Sequence, residues 1–451
     1  MIADFLEKIA IKLGMAERGK HLASGAIGLF SLRLFSMLSV FATGIFLSRT
    51  IGAAGYGEYV YVLAWVQVLV IPAMLGFDRL VVKEIAGFNS TKKWGLFRGL
   101  LRRSQQGVML VGVILAVLTA ITFTLIQPVF DSIDVNYIRP FQVGMILIPL
   151  FAYLRTRQSL LIGLDKVAIA HFSEMVLVPV FHLGITATVI FFLQKSISST
   201  QVIHYHIIAM VIAIVFVWIQ SRRYIPKQVF SSTPEFDTRN WLVGGLFMLL
   251  VSSVQILNSR IDVIMVGSML GSVDAGIYNA ANRGSTIILY TFLAVNTALS
   301  PLIASYHVEG RWDKMQSIAK KASRVSLVAA VVPTILLILF GKWFLLLFGP
   351  EFVAGLYPLI LMCIAEFVVI SFGALIVLLI MTGHTREAFF GTSLSTLLNI
   401  IINFLLIPKY GMMGAAMALT VGHLMSAILM SYFVRKKLRI SPEAWSKSIV
   451  K

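Results

Sequence analysis

Apolar runs about 20 residues long recur along this entire chain, and no other feature limits its fold so strongly. Each run can cross about 30 Å of hydrocarbon as an α-helix. Twelve are read, near residues 22–47, 59–82, 107–126, 141–162, 172–193, 202–219, 241–270, 276–303, 325–348, 357–381, 389–407 and 412–434. Barrel strands would be about ten residues long and would alternate in polarity, which these runs do not. The sequence therefore predicts an all-α polytopic membrane protein. A charged fraction of 13% agrees, being about half that of a soluble domain.

The net charge of +18 invites a nucleic-acid partner, but its distribution argues against one. Of the 38 Lys and Arg, 29 fall in segments on one side of the predicted spans; only Arg49, Arg139, Lys195, Lys342 and Lys409 fall on the other. That is the positive-inside pattern, and it predicts a multi-pass protein of the cytoplasmic (inner) membrane with both termini in the cytoplasm. The remaining basic side chains meet anionic headgroups of the membrane lipids. The single cysteine, Cys363, allows no intrachain disulfide and no cysteine metal site. Ile2, Phe5, Leu6, Ile9 and Leu13 recur at helical spacing, which predicts an interfacial amphipathic segment over 1–21.

The chain is written twice. Gly52, Gly57 and Tyr59 follow the first span, and Gly271, Gly276 and Tyr278 follow the seventh, at an offset of 219. Gly163 and Lys166 match Gly383 and Arg386 at 220. Six spans per half gives a parallel repeat. The expected organisation is an N-terminal six-helix lobe (22–221), a cytoplasmic linker (222–240), a C-terminal six-helix lobe (241–434) and a basic tail (435–451).

Four arginines lie within the spans: Arg33, Arg79, Arg260 and Arg283. A lipid-facing guanidinium at the bilayer centre costs roughly 3 kcal/mol even on the lenient insertion scale, so such residues face a bundle interior or a wet cavity beside an anion. Asp262 and Arg283 stand at equal distances from the turn near Ser272, which predicts an ion pair between spans seven and eight. Arg33 has no acid nearby in sequence, and Asp262 sits two positions from Arg260 on another face. Both, and Arg283 as the alternative to its ion pair, are candidates to line a substrate cavity and meet an anionic ligand, with Asn258 and Asn282 beside them. Glu366, the only acid of span ten, reads as a protonatable coupling group or as an arginine's partner. Asp78, Arg79, Lys83 and Glu84 cluster at the inner end of span two, as an interfacial or gating group. Arg155 and Arg157 lie on opposite faces of span four, so at most one enters a cavity. Asn399 and Asn403 share a face and suit a contact with a neighbouring helix. His204 and His206 flank the end of span six and read as interfacial. The chain has no Walker A loop, GxSxG, HExxH or paired CxxC, which predicts no enzyme activity and no cofactor.

The stretches LSRTIGAAGYGEYVYVLAWV, LGFDRLVVKEIA, RIDVIMVGSMLGSVDAGIYNAANR and LLNIIINFLLIPKYGMMGAAMAL resemble polysaccharide-biosynthesis flippases of the multidrug/oligosaccharidyl-lipid/polysaccharide exporter superfamily. The resemblance implies two six-helix lobes, V-shaped around a central cavity. It also implies alternating access that carries a polyprenyl-diphosphate-linked oligosaccharide from the inner to the outer leaflet. Twelve spans favour the O-antigen (lipopolysaccharide) or exopolysaccharide branch, with other polysaccharide-assembly proteins as further partners. Asp262, Tyr278 and Arg283 match the family's seventh–eighth hairpin, and Asp78, Arg79 and Glu84 its second-span end. Coupling to H+, Na+ or the membrane potential stays open, and so does a multidrug or cation-coupled antiporter of the same superfamily.

Overall fold

A computed structural model describes residues 16–126, 138–193 and 196–445. The described residues are helical and contain no strand. In chain order the first helices are α1 (Ala16–Met74), α2 (Phe77–Thr91), α3 (Trp94–Ile126), α4 (Ile138–Met145) and α5 (Leu147–Gly163). Next come α6 (Val167–Phe172), a π-helical turn (Ser173–Leu177), α7 (Val178–Leu193), α8 (Ser199–Tyr224) and α9 (Lys227–Ser231). The remainder are α10 (Thr238–Leu270), α11 (Ser272–Val308), α12 (Trp312–Phe348), a 3-10 turn (Pro350–Gly355), α13 (Leu356–Ser371), α14 (Leu375–Met381), α15 (Thr385–Tyr410) and α16 (Met412–Leu438). The interfacial helix expected over the first residues lies mostly outside the described ones.

Among the described residues ten helical segments are long and apolar enough to cross a membrane, and α10, bent by 44° between Thr238–Leu250 and Ser253–Leu270, makes an eleventh. The α1 helix holds two of the twelve expected spans, because Gly52 (φ 70°, ψ 179°) breaks it. Gly271 (φ 99°, ψ −177°) makes the same break between α10 and α11. This backbone region is open essentially to glycine alone. The repeat seen in sequence therefore recurs as a repeated backbone conformation. The second crossing ends at Met74, ahead of the expected 82. Leu75 and Gly76 take positive φ there, and α2 starts as a separate amphipathic helix that buries Phe77, Leu80, Val81 and Ile85 on one face.

The chain divides into two compact units. The first is Gly28–Arg260 with Gly271–Val273; the second is Ile261–Leu270 and the chain from Asp274 on, with the stretch through Ile27. Within the first unit α5 is the hub, packed by α2, α3, α6 and α8, and it buries residues on every side. On α3, by contrast, Leu110, Val113, Ile114, Val117, Leu118 and Ile121 are exposed. An apolar surface of that extent suits lipid contact. The α1–α2 turn touches α10 so closely that a Cβ on Gly76 would stand 1.9 Å from the Gly245 carbonyl oxygen. In the second unit α16 packs on α13, α14 and α15.

The segment after α8 is docked against α3. Arg98 donates to the carbonyls of Phe230 (2.8 Å) and Ser232 (2.6 Å), Glu235 N–H donates to the Gly95 carbonyl, and Arg103 lies over the Phe236 ring. The basic tail turns back in the same manner. Glu443, fully buried, accepts from Arg435 Nε at 2.9 Å and from Ser431, and Trp445 packs edge-on against Phe372.

Candidate functional site

Two polar clusters occupy the interiors of the two units. In the first unit, Arg155 donates through Nη2 (2.9 Å) and Nε (3.3 Å) to Glu174, and its guanidinium lies over Phe151. Glu174 belongs to the π-helical turn. One extra residue per turn re-aims a side chain there, and such bulges recur at functional sites. Gln158 supports the turn by donating to Ser173. The charge of Arg155 also reaches Asp78, whose Oδ1 is buried without a hydrogen-bond partner. Burial lifts the Asp78 carboxyl above the usual aspartate range, and Arg79 and Arg155 oppose that rise only in part.

Arg33 is half-buried, and among the described residues it forms no hydrogen bond or ion pair. His171, one turn from Glu174, lies within reach of the charges of both Arg33 and Glu174. Arg260 donates from Nε to Gln67 Oε1 at 2.7 Å, so it has a neutral amide for company and is half-buried, as is Asn258. Arg79 reaches only Gln255, at 3.4 Å, and Lys83 and Glu84 stand 3.7 Å apart with Lys83 exposed. That suits an interfacial group. Arg157 turns away from Arg155 and contacts Gln105 (2.9 Å), Ser221 (3.1 Å) and Tyr153 (3.2 Å), tying α3, α5 and α8 together.

The second cluster corrects two expectations. Asp262, buried, accepts from Asn403 Nδ2 at 2.6 Å, and Asn403 also donates to Asn399 (3.0 Å). Asn399, His423 and Tyr278 are the other groups acting on Asp262. The expected Asp262–Arg283 pair is not formed; Arg283 is half-buried and engaged elsewhere. Equal depth did not fix the facing: five residues separate Tyr278 from Arg283, a rotation of roughly 140° about α11, and the tyrosine takes the place beside Asp262. Glu366 has no arginine. Its Oε1 lies 3.2 Å from His423 Nδ1, and its Oε2 is buried and unpartnered. Asn282 stays with its own helix, where its carbonyl accepts from Thr286.

His206 is a further correction, because it is not interfacial. It is buried and its Nδ1 stands 2.9 Å from the Tyr59 hydroxyl, whereas His204 faces outward. Sequence reasoning passed over Glu174, His171, His182 and His423, which are single polar residues in long apolar runs. The signal for them was the same as the one that singled out Glu366.

The model for the family described as polysaccharide biosynthesis protein matches residues 22–307, and the chain belongs to that family. A second model, MatE, matches 248–405. The "Probable low-salt glycan biosynthesis flippase Agl15" of Haloferax volcanii is 25% identical over 42% of this chain and 41% of its own length. The "Capsular polysaccharide biosynthesis protein CapF" of Staphylococcus aureus is 21% identical over 56% of this chain and 65% of its own. The chain thus spans less than two thirds of either relative. Among solved structures, an inward-facing multidrug-resistance MATE transporter of the MOP superfamily superposes with TM-score 0.74 over 92% of this chain and 98% of its own, at 15% identity. The MATE multidrug transporter DinF-BH gives TM-score 0.64 over 95% and 97% at 18% identity. A MOP superfamily transporter from Pyrococcus furiosus, with a binding pocket described as of reverse polarity, gives 0.60 over 92% and 95% at 16% identity.

Proposed function

We propose that this transporter moves a polyprenyl-diphosphate-linked oligosaccharide from the inner to the outer leaflet of the cytoplasmic membrane for surface polysaccharide assembly. Arg33 carries the reading: a half-buried, permanently charged guanidinium in the first span that meets no carboxylate among the described residues. A diphosphate supplies the missing anion and accepts the bidentate, charge-assisted hydrogen bonds a guanidinium offers. His171, beside it, is a second donor. The similarity to a glycan biosynthesis flippase, Agl15, and to a capsular polysaccharide biosynthesis protein, CapF, supports a glycan cargo.

Coupling belongs to the second unit in this reading. Asp262, Asn399 and Tyr278 offer oxygens around the Asn403 amide, and Asn403 Oδ1 is buried without a partner. Hard oxygen donors of that kind suit a small hard cation such as Na+, and the Glu366–His423 contact beside them suits a proton. The membrane potential assists as well: moving two negative charges outward gains about 4–5 kcal/mol per 100 mV when no counter-charge travels with them.

The test is complementation in a strain lacking the protein. Arg33→Gln is expected to insert normally, to leave lipid-linked oligosaccharide in the inner leaflet, and to restore no surface glycan. Normal surface glycan in that variant would remove Arg33 from the mechanism. The MATE neighbours keep a drug antiporter as the second reading. Unchanged lipid-linked intermediates together with altered drug sensitivity on deletion would select it.

A further inference from the structure

The first unit contains a second buried polar cluster that the cargo reading does not use. His206 is 7% exposed and His182 2%, and their rings stand 4.8 Å apart. His206 Nδ1 meets the Tyr59 hydroxyl at 2.9 Å, and His206 Nε2 is buried with no hydrogen-bond partner among the described residues. His182 Nε2 lies 3.2 Å from the Val202 carbonyl. A carbonyl only accepts, so His182 carries its hydrogen on Nε2 and keeps a lone pair on Nδ1. A buried imidazole pair with an open nitrogen is a site for something small and electron-poor.

The repeat sharpens this. Tyr59 corresponds to Tyr278 at the offset of 219, and His206 of α8 falls within two residues of the position equivalent to His423 of α16. Asp262 corresponds to Thr43, which is buried and bonded to its own helix at the Ser39 carbonyl. No acid occurs between Arg139 and Asp165, the stretch equivalent to that around Glu366. The second unit thus keeps carboxylates at this place, and the first unit has imidazoles instead.

We propose that Tyr59, His182 and His206 form a membrane-embedded site for a single proton. The proton adds to an imidazole lone pair. Two imidazolium ions 4.8 Å apart in a buried site would repel strongly, so the pair takes one proton and not two. The surrounding elements supply no competing carboxylate at the rings. On α1, Glu58 bonds to Ser199 at the start of α8, two turns from His206. On α5, Phe151 separates His206 from Arg155, which is held by Glu174 of the π turn. On α8, His204 bonds to the Thr200 carbonyl and Tyr205 is half-buried; α4 presents only Arg139, exposed. A proton held here charges the core of the first unit, and a charged core favours whichever conformation hydrates it. The site stands whatever the cargo is.

The test uses the full-length protein with isotope-labelled histidine in lipid bilayers, read by solid-state NMR. The eight histidines are assigned by single His→Gln variants. His182 and His206 are expected to titrate together between about pH 4 and 9, with one imidazolium shared between them. His182→Gln should then shift the His206 midpoint. Tyr59→Phe preserves the ring and its packing, so it should move that midpoint. Two imidazoles neutral throughout the range would overturn the proposal. So would a His206 midpoint indifferent to both His182→Gln and Tyr59→Phe.

Discussion

A carboxylate inside a helix bundle must find donors, and Asp262 finds them in an amide from α15 rather than in a cation. Removing a donor from a buried acceptor costs about 1–3 kcal/mol, more when the acceptor is charged. Asn403→Leu is therefore expected to lower thermal stability in detergent by about that amount, whereas Arg283→Gln, which removes no bond to Asp262, should cost under about 1 kcal/mol. A larger loss in Arg283→Gln that disappears in an Asp262→Asn background would restore the ion pair. Asp78 gives a pH-dependent expectation. Its carboxyl is raised by burial in the folded protein, so the protonated form favours the fold; that contribution is full below the unfolded value near 3.9 and is lost as pH rises through the folded value. Asp78→Asn should accordingly raise the melting temperature at neutral pH, with the gain shrinking as pH falls toward about 4. An equal gain at every pH would mean that ionisation is not its source.

At the scale of helices, Gly52 and Gly271 are the joints. A Cβ at either would meet nothing within 4 Å, so space does not explain the glycines; the backbone does. Gly52→Ala and Gly271→Ala should each cost about 1–3 kcal/mol. Gly87→Ala, equally unobstructed but within regular helix, should be neutral or slightly stabilising. Unfolding of the three variants side by side decides this, and equal stability at all three would reject the strained joint. Both positions were legible, since the sequence repeat pairs Gly52 with Gly271. The spans were legible too, because membrane thickness dictates their length. Facing was not. Whether Arg283 or Tyr278 meets Asp262 depends on rotation about α11, and apolar periodicity is weak in helices that are apolar nearly all round. The π-helical turn that aims Glu174 has no sequence signature, and the docking of 232–237 on α3 needed the close approach at Gly99, where a Cβ would lie 1.7 Å from the Glu235 carbonyl oxygen.

Over the whole molecule, the sequence repeat puts a tyrosine at equivalent places in the two units, Tyr59 beside the His206 imidazole in one and Tyr278 beside the Asp262 carboxylate in the other. Two ion sites of different chemistry in one chain would let a cation and a proton act on separate halves of a transport cycle. The direction of that cycle depends on orientation, which the charges set. Twenty-nine Lys and Arg on one side against five on the other predict that the end of α16 lies in the cytoplasm, because basic loops resist translocation. A fluorescent protein fused after Trp445 should then be bright, and a periplasmic phosphatase fused at the same place inactive. The converse fusion near Lys195, between α7 and α8, should show active phosphatase. Reversal of both would place the Ser199 end of α8 on the cytoplasmic side. Substrate meeting Arg33 would then approach from outside, and the proposed export would have to be read as import.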